Sequence, residues 1–151
     1  MPKQAFYKQN NGQLSAIPPT YLGKLAKECW RKVVPYLEST KRVGRIDSSL
    51  VEQYCTEYEM YRMAYDNVTQ HGIQRAIYRT LQDSTGAKIG TDFVGYRKNP
   101  AVTTMNDALK QLKSIGSQLG LSPQARQELM QIASQKKEKS TVEQLKDIGL
   151  I

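Results

Sequence analysis

The sequence predicts a mainly α-helical protein with four helices and a small β-hairpin between the second and third helix. Apolar residues recur at helical spacing in four stretches, whereas β-branched and aromatic residues flank a turn within residues 73–98. A chain of 151 residues is long enough for one hydrophobic core. We therefore expect a flexible N-terminal arm (1–17), a core (18–134), and a linker with a C-terminal partner-binding segment (135–151).

The first helix is predicted to begin at Pro19 or Thr20. Its apolar face follows i, i+3, i+4, i+7 spacing and consists of Leu22, Leu25, Ala26, Cys29, Val33 and Leu37. Trp30 lies beside this face and is expected in the core. Pro35 is expected to kink or break the helix, which would put Tyr36 and Leu37 in a separate turn.

The second helix is expected to start at a cap formed by Asp47 or Ser48 and to end before Gly72. A seam with the spacing of helices packed side by side contains Val51, Tyr54, Tyr58, Tyr61, Tyr65 and Val68. Tyrosine is bulky, needs a hydrogen-bond partner when buried, and is enriched in interfaces. The four tyrosines therefore fit either a core helix or a subunit interface of a homo-oligomer.

The β-hairpin is predicted at about 74–82 paired with 87–95, around a turn at Asp83-Ser84-Thr85-Gly86. Gly86 is suited to the positive φ that a tight turn demands. Because a two-stranded hairpin is marginally stable alone, it must rest on helices or on a neighbouring subunit.

The third helix is predicted to begin at a Thr103 or Thr104 cap and to stop at Gly120. The fourth is predicted to begin at Pro123 with Ser122 as its cap. Its inward residues are expected to be Ala125, Leu129, Ile132 and Ala133.

The run QKKEKS after Ser134 is interpreted as a charged linker. TVEQLKDIGLI then reads as a short helix that begins at a capping box of Ser140 and Glu143. Its apolar residues are Val142, Leu145, Ile148, Leu150 and Ile151. So short a helix needs a groove for its apolar face. The segment is therefore expected to bind a partner or to dock back on its own oligomer.

The charge of +8 is concentrated near the N-terminus, because residues 1–45 hold nine Lys and Arg against Glu28 and Glu38. Such asymmetry favours a polyanionic partner. Three cations align as a stripe opposite the apolar face of the first helix. A solvated face fits this stripe as well as phosphate contact does. The candidate DNA-binding residues are Lys24, Lys27, Arg31, Lys32, Lys41, Arg42 and Arg45.

Catalysis is not expected, because the sequence lacks a phosphate-binding GxxxxGK[ST] loop and an acidic pair at motif spacing. His71 is the one histidine and is predicted at a helix end. Cys29 and Cys55 lie in helical patterns without metal spacing, which is typical of reduced thiols. We therefore expect no cofactor and no metal. Without a signal peptide or an apolar run of about 18 residues, a soluble intracellular protein is expected, with no membrane partner.

The stretch LGLSPQARQEL, residues 119–129, is similar to the turn of a helix-turn-helix motif. A recognition helix needs side chains that reach base edges, typically Arg, Lys, Asn or Gln near its start. The fourth helix offers glutamines but only Arg126 as a cation before Lys136. Base reading by this helix is therefore not favoured.

The order of motifs resembles a bacteriophage small terminase subunit. The stretches that carry the resemblance are PPTYLGKLAKECWRKVVPYL, DSSLVEQYCTEY, the hairpin ending in Asn99-Pro100-Ala101, and LGLSPQAR, which has the pattern LGL[ST]P..R. The similarity covers about residues 17–132.

This resemblance implies a non-enzymatic ring of about eight to ten subunits in the host cytoplasm. Such a ring binds the packaging-initiation region of viral DNA and recruits and regulates a large subunit with ATPase and nuclease activities. LGLSPQAR then becomes a helix–helix corner of the subunit body. A dimeric helix-turn-helix transcriptional regulator and a structural virion or head-completion protein are the alternatives.

Overall fold

The computed structural model describes residues 2–150, in which four α-helices and one antiparallel hairpin follow each other as predicted. The elements are α1 (Lys24–Thr40), α2 (Ser48–His71), β1 (Gln74–Gln82), β2 (Lys88–Lys98), α3 (Pro100–Gln118) and α4 (Pro123–Asp147). α2 packs along α3, and α1 packs on α2. The mainly α-helical fold with a hairpin between the second and third helices is confirmed.

The core lies where α1, α2 and the end of α3 meet. Trp30, Leu37, Val51 and Cys55 are its largest fully buried side chains, which confirms the expectation for Trp30. A hydrogen bond with the Cys29 thiol, together with burial, raises the pKa of the Cys55 thiol. The two cysteines are free, as the sequence predicted.

The predicted break at Pro35 is wrong, because α1 runs through it without interruption to Thr40. Pro35 is exposed, so the carbonyl that loses its helical donor can reach water. Val34 and Leu37 on either side are buried and hold both turns against the core. The helix also starts later than predicted, at Lys24, where the Glu59 carboxylate accepts a hydrogen bond from the Leu25 N–H (3.3 Å).

The N-terminal segment 1–17 is not a free arm over its last residues. Leu14 is buried, and its N–H donates to the Glu38 carboxylate (2.6 Å). The Trp30 indole N–H donates to the Ser15 carbonyl (2.9 Å). The anchors are thus an apolar side chain and two hydrogen bonds between a side chain and the backbone, none of which has a periodic sequence pattern.

The third helix begins about one turn earlier than predicted. The Asn99 carboxamide accepts a hydrogen bond from the Ala101 N–H (3.0 Å), and Pro100 occupies the first helical position. Asn99 is thus the cap, whereas the predicted caps Thr103 and Thr104 lie inside the helix.

The corner between α3 and α4 follows the prediction. Gly120 has a φ of +76°, and the Leu121 N–H donates to the Gly116 carbonyl (2.8 Å), as in a Schellman motif. The Ser122 hydroxyl accepts from the Ala125 N–H (3.1 Å) and caps α4.

The prediction that a charged linker interrupts the helix after Ser134 is wrong. α4 continues through QKKEKS to Asp147 as one helix of 25 residues. No helix begins at Ser140. Beyond its first turns α4 packs little on the body. Ile132, which was predicted to point inward, is exposed. The run is rich in good helix formers, and charge without apolar residues allows a solvated helix as readily as a loop.

Candidate nucleic-acid interface

The basic residues of α1 form a row on the face that points away from the core. Lys24, Arg31 and Lys32 are exposed and Lys27 is half-buried, whereas Trp30 is buried on the other side. Side chains three, four and seven residues apart share one face of a helix. Within residues 2–150, none of the four cations lies within salt-bridge distance of a carboxylate. Their charge is therefore directed at solvent.

The three cations that follow α1 differ from one another. Lys41 ends α1 with a φ of +56° and is exposed. Arg42 is also exposed, and its guanidinium donates to the Leu129 carbonyl of α4 (3.4 Å). Arg45 is half-buried and donates to the Gln9 carboxamide oxygen (3.0 Å), so it holds the N-terminal segment.

The predicted DNA-binding residues thus comprise the half-buried Lys27, two arginines held by hydrogen bonds (Arg42 and Arg45), and four exposed cations: Lys24, Arg31, Lys32 and Lys41. Along the helix axis, the row from Lys24 to Lys32 extends about 12 Å, and Lys41, just past the end of α1, lies about 25 Å from Lys24. This length matches about seven base pairs of duplex DNA. The spacing and charge of these cations are compatible with contacts to phosphates.

The sign of the net charge alternates between successive segments of the chain. Residues 46–72, mainly α2, carry one arginine against five carboxylates, a net charge of −4. Residues 73–98, the hairpin, carry five cations against two aspartates, a net charge of +3. Along the sequence, the basic α1 segment and the basic hairpin therefore flank an acidic helix.

The hairpin is exposed on both faces in the single subunit. Tyr78, Phe93 and Tyr96 form an aromatic cluster on one face, with ring centroids 5.8 and 5.2 Å apart and edge-to-face geometry. Ile77 and Leu81 are exposed on the other face. A monomer rarely exposes so contiguous an apolar surface. The sequence analysis missed this surface, although the alternation of aromatic and β-branched residues in both strands was the available signal.

The predicted tyrosine seam of α2 grades from half-buried to exposed. Tyr54 and Tyr58 pack against the core, and burial raises the pKa of Tyr54. The ring of Tyr61 is tilted relative to both neighbours, with centroid distances of 6.4 Å to Tyr58 and 6.1 Å to Tyr65. Tyr65 is 45% exposed. The seam therefore contributes to the subunit core at one end and leaves an aromatic surface at the other.

The predicted partner-binding residues lie at the far end of α4 and just beyond it. Val142, Ile148 and Leu150 are exposed and Leu145 is half-buried, while Ile151 lies outside the described residues. The Leu150 N–H donates to the Leu145 carbonyl (3.1 Å) in a second Schellman ending.

The LGLSPQAR corner does not present its arginine to DNA. The Arg126 guanidinium donates to the Leu121 carbonyl (3.0 Å), so the one cation in the first turn of α4 stabilises the corner. This contact fits a structural role better than base recognition.

Two further features bear on chemistry. Within residues 2–150, no group of three or more His, Cys, Asp or Glu side chains is arranged to hold a metal ion. In the same part of the chain, each helix is too short or too polar to cross a membrane.

Comparison with known proteins gives a match to a protein family. Residues 26–136 match the family model described as "Phage terminase, small subunit". No curated protein and no solved structure matches the chain significantly. The matched segment extends from α1 into α4 and covers most of the chain.

Proposed function

Because this chain belongs to the family of phage terminase small subunits, and so has a role in phage DNA packaging, we propose that it is the non-catalytic adaptor of the packaging machine. In this proposal several copies form a ring in the infected host cell. The ring binds the packaging-initiation region of double-stranded viral DNA and brings the large terminase subunit to it.

The observation that carries the DNA contact is the row of exposed cations on α1. Lys24, Arg31 and Lys32 face solvent without a carboxylate partner among the described residues. Phosphate contact releases condensed counterions and supplies most of the sequence-independent affinity of DNA-binding proteins. A contact of this kind needs cations that structural ion pairs have not neutralised. Lys27, Lys41 and Arg42 add positive charge beside these three residues. Arg45 adds charge nearby, although its guanidinium is bound to Gln9.

The ring is supported by apolar surface that a single copy leaves exposed. The hairpin has large apolar side chains on both faces, and a two-stranded hairpin alone is marginally stable. On α2, Tyr61 is half-buried and Tyr65 is exposed, which adds further aromatic surface. A head-to-tail contact that uses different surfaces on each copy forms a ring when the rotation between successive copies closes. The tyrosines Tyr54, Tyr58, Tyr61 and Tyr65 remain our candidates for part of that contact.

The contact with the large subunit is proposed at the end of α4. Val142, Ile148 and Leu150 are apolar, exposed and distant from the core. Together with Leu145 and Ile151 they form an amphipathic segment of the kind that binds in a hydrophobic groove. Deleting residues 140–151 should leave the ring and DNA binding intact while abolishing stimulation of the large subunit's ATPase. Full stimulation by the truncated chain would contradict this assignment.

Native mass spectrometry combined with DNA footprinting tests the whole proposal. A ring of eight to ten chains of 17.1 kDa has a mass of about 140–170 kDa, whereas a dimeric transcriptional regulator has about 34 kDa. The ring should protect a defined region of the phage's own terminase genes from nuclease. A dimer that protects a promoter instead would establish the helix-turn-helix regulator.

A further inference from the structure

An apolar groove lies where the ends of α1 and α3 meet the start of α4. Its volume is about 530 Å³, which is within the range of about 300–1,000 Å³ typical of ligand sites. Leu119 in its lining is buried, and Tyr36 of α1 and Met130 of α4 contribute exposed apolar side chains to the lining. Met130 is 69% exposed, so a large apolar side chain faces solvent there.

The rim of the groove is positively charged. Arg42 and Arg126 line it, and none of its lining residues is acidic. Hydrogen bonds to the carbonyls of Leu129 and Leu121 hold the two guanidinium groups at the groove (3.4 and 3.0 Å). The site therefore fits an amphipathic helix that carries carboxylates beside its apolar residues.

The C-terminal part of the chain has this chemistry. Val142 and Ile148 are exposed and lie with Leu145 at helical spacing for a shared face. Glu143 and Asp147 are interleaved with them. Apolar residues therefore match the groove walls, and carboxylates match the arginines of the rim.

A chain cannot fill its own groove with this segment. Met130 belongs to α4 itself, and α4 continues as one helix to Asp147. At 1.5 Å per residue, Ile148 lies about 27 Å along the helix from Met130. The helix would have to break for the segment to return.

We propose that the groove binds the C-terminal segment of a second copy of this chain. The contact joins different surfaces of two copies, so it is compatible with a head-to-tail ring whose main contacts are the hairpin and α2 surfaces proposed above. This inference rests on the proposed function, because it requires several copies in one assembly. The same segment is proposed to meet the large subunit. The groove therefore holds the C-terminal segment in a resting position, from which the large subunit must displace it.

Cysteine cross-linking in the full-length chain tests the inference. Met130→Cys combined with Val142→Cys changes two exposed positions, one in the groove and one in the segment. A disulfide requires Cα atoms within about 7 Å, but these two lie about 18 Å apart along one helix. Mild oxidation should therefore give a ladder of covalent oligomers on a denaturing gel. Cys29 and Cys55 are buried in every variant, so mixing two chains that each carry one of the introduced cysteines should give covalent dimers only.

The matched control is Met130→Cys with Gln135→Cys, which places the second thiol in the polar part of α4. An assembly of ring mass whose ladder does not exceed this control would overturn the inference and leave the proposed function standing. Cross-linking within one chain, which runs as a monomer, would also overturn it. A monomeric native mass would contradict the proposed ring itself.

Discussion

Replacing Lys24, Lys27 and Arg31 with glutamine is expected to weaken DNA binding without unfolding the subunit. The three side chains lie on the α1 face opposite the buried residues. The start of α1 is held independently by the Glu59 carboxylate. Glutamine is a good helix former, so the helix should persist.

The size of the effect follows from counterion release. Each phosphate contact contributes about 0.9 to the slope of log K against log salt concentration for duplex DNA. Loss of three contacts should lower the magnitude of that slope by about 2.7. Between 50 and 200 mM salt, the affinity of the unchanged protein should therefore fall about 40-fold more than that of the variant.

The assay is a titration of labelled duplex DNA at four or more salt concentrations, read by fluorescence anisotropy. The matched control replaces Lys136, Lys137 and Lys146 of α4 with glutamine, which lowers the net charge from +8 to +5 in the same way. The control should keep nearly the full slope. Equal slopes for both variants would refute a local contact at α1 and leave only an effect of net charge.

Tyr61→Ala with Tyr65→Ala should convert the ring into smaller species that remain helical, because Tyr65 is exposed in the subunit. Sedimentation measures the size of the species and circular dichroism their helix content. Loss of helix would favour a core role for these tyrosines. Asp83→Ala should speed amide exchange in the hairpin turn. Hydrogen bonds from the turn lower the pKa of the Asp83 carboxyl. The stabilisation of the turn by this carboxylate is therefore fully present above its ordinary pKa of about 3.9, and it is lost as pH falls through the lower pKa of the folded state. Gly120→Ala should destabilise the subunit by about 1–2 kcal/mol in thermal unfolding, because Gly120 has a φ of +76°, whereas Gly90→Ala in open space should not.

The sequence predicted those elements whose signals are local. Ser122 and Pro123 start α4, Gly120 terminates α3, and the hairpin turns at Gly86. Each of these features depends on the conformational preference of one or two residues. Pro35 failed as a signal because tertiary packing of its neighbours outweighs one missing hydrogen bond.

The candidate site was predictable in composition but not in its division of roles. Spacing along α1 identifies the face of Lys24, Lys27 and Arg31. It does not reveal that Arg45 holds Gln9 or that Arg126 holds Leu121, because these partners depend on the path of the loops. The exposed surface of the hairpin also required the fold, since alternation alone does not show whether a helix covers it.

The continuity of α4 gives a last prediction, because a helix sets a distance that a flexible linker would leave free. Lys136→Gly with Lys137→Gly should cost about 1 kcal/mol per position and interrupt the solvated middle of α4. The C-terminal segment could then fold back into the groove of its own chain. In the Met130→Cys, Val142→Cys background, the glycine variant should therefore shift cross-linked product from the oligomer ladder to the monomer band. A ladder of unchanged length would mean that the rigidity of α4 does not direct the segment to a neighbouring copy.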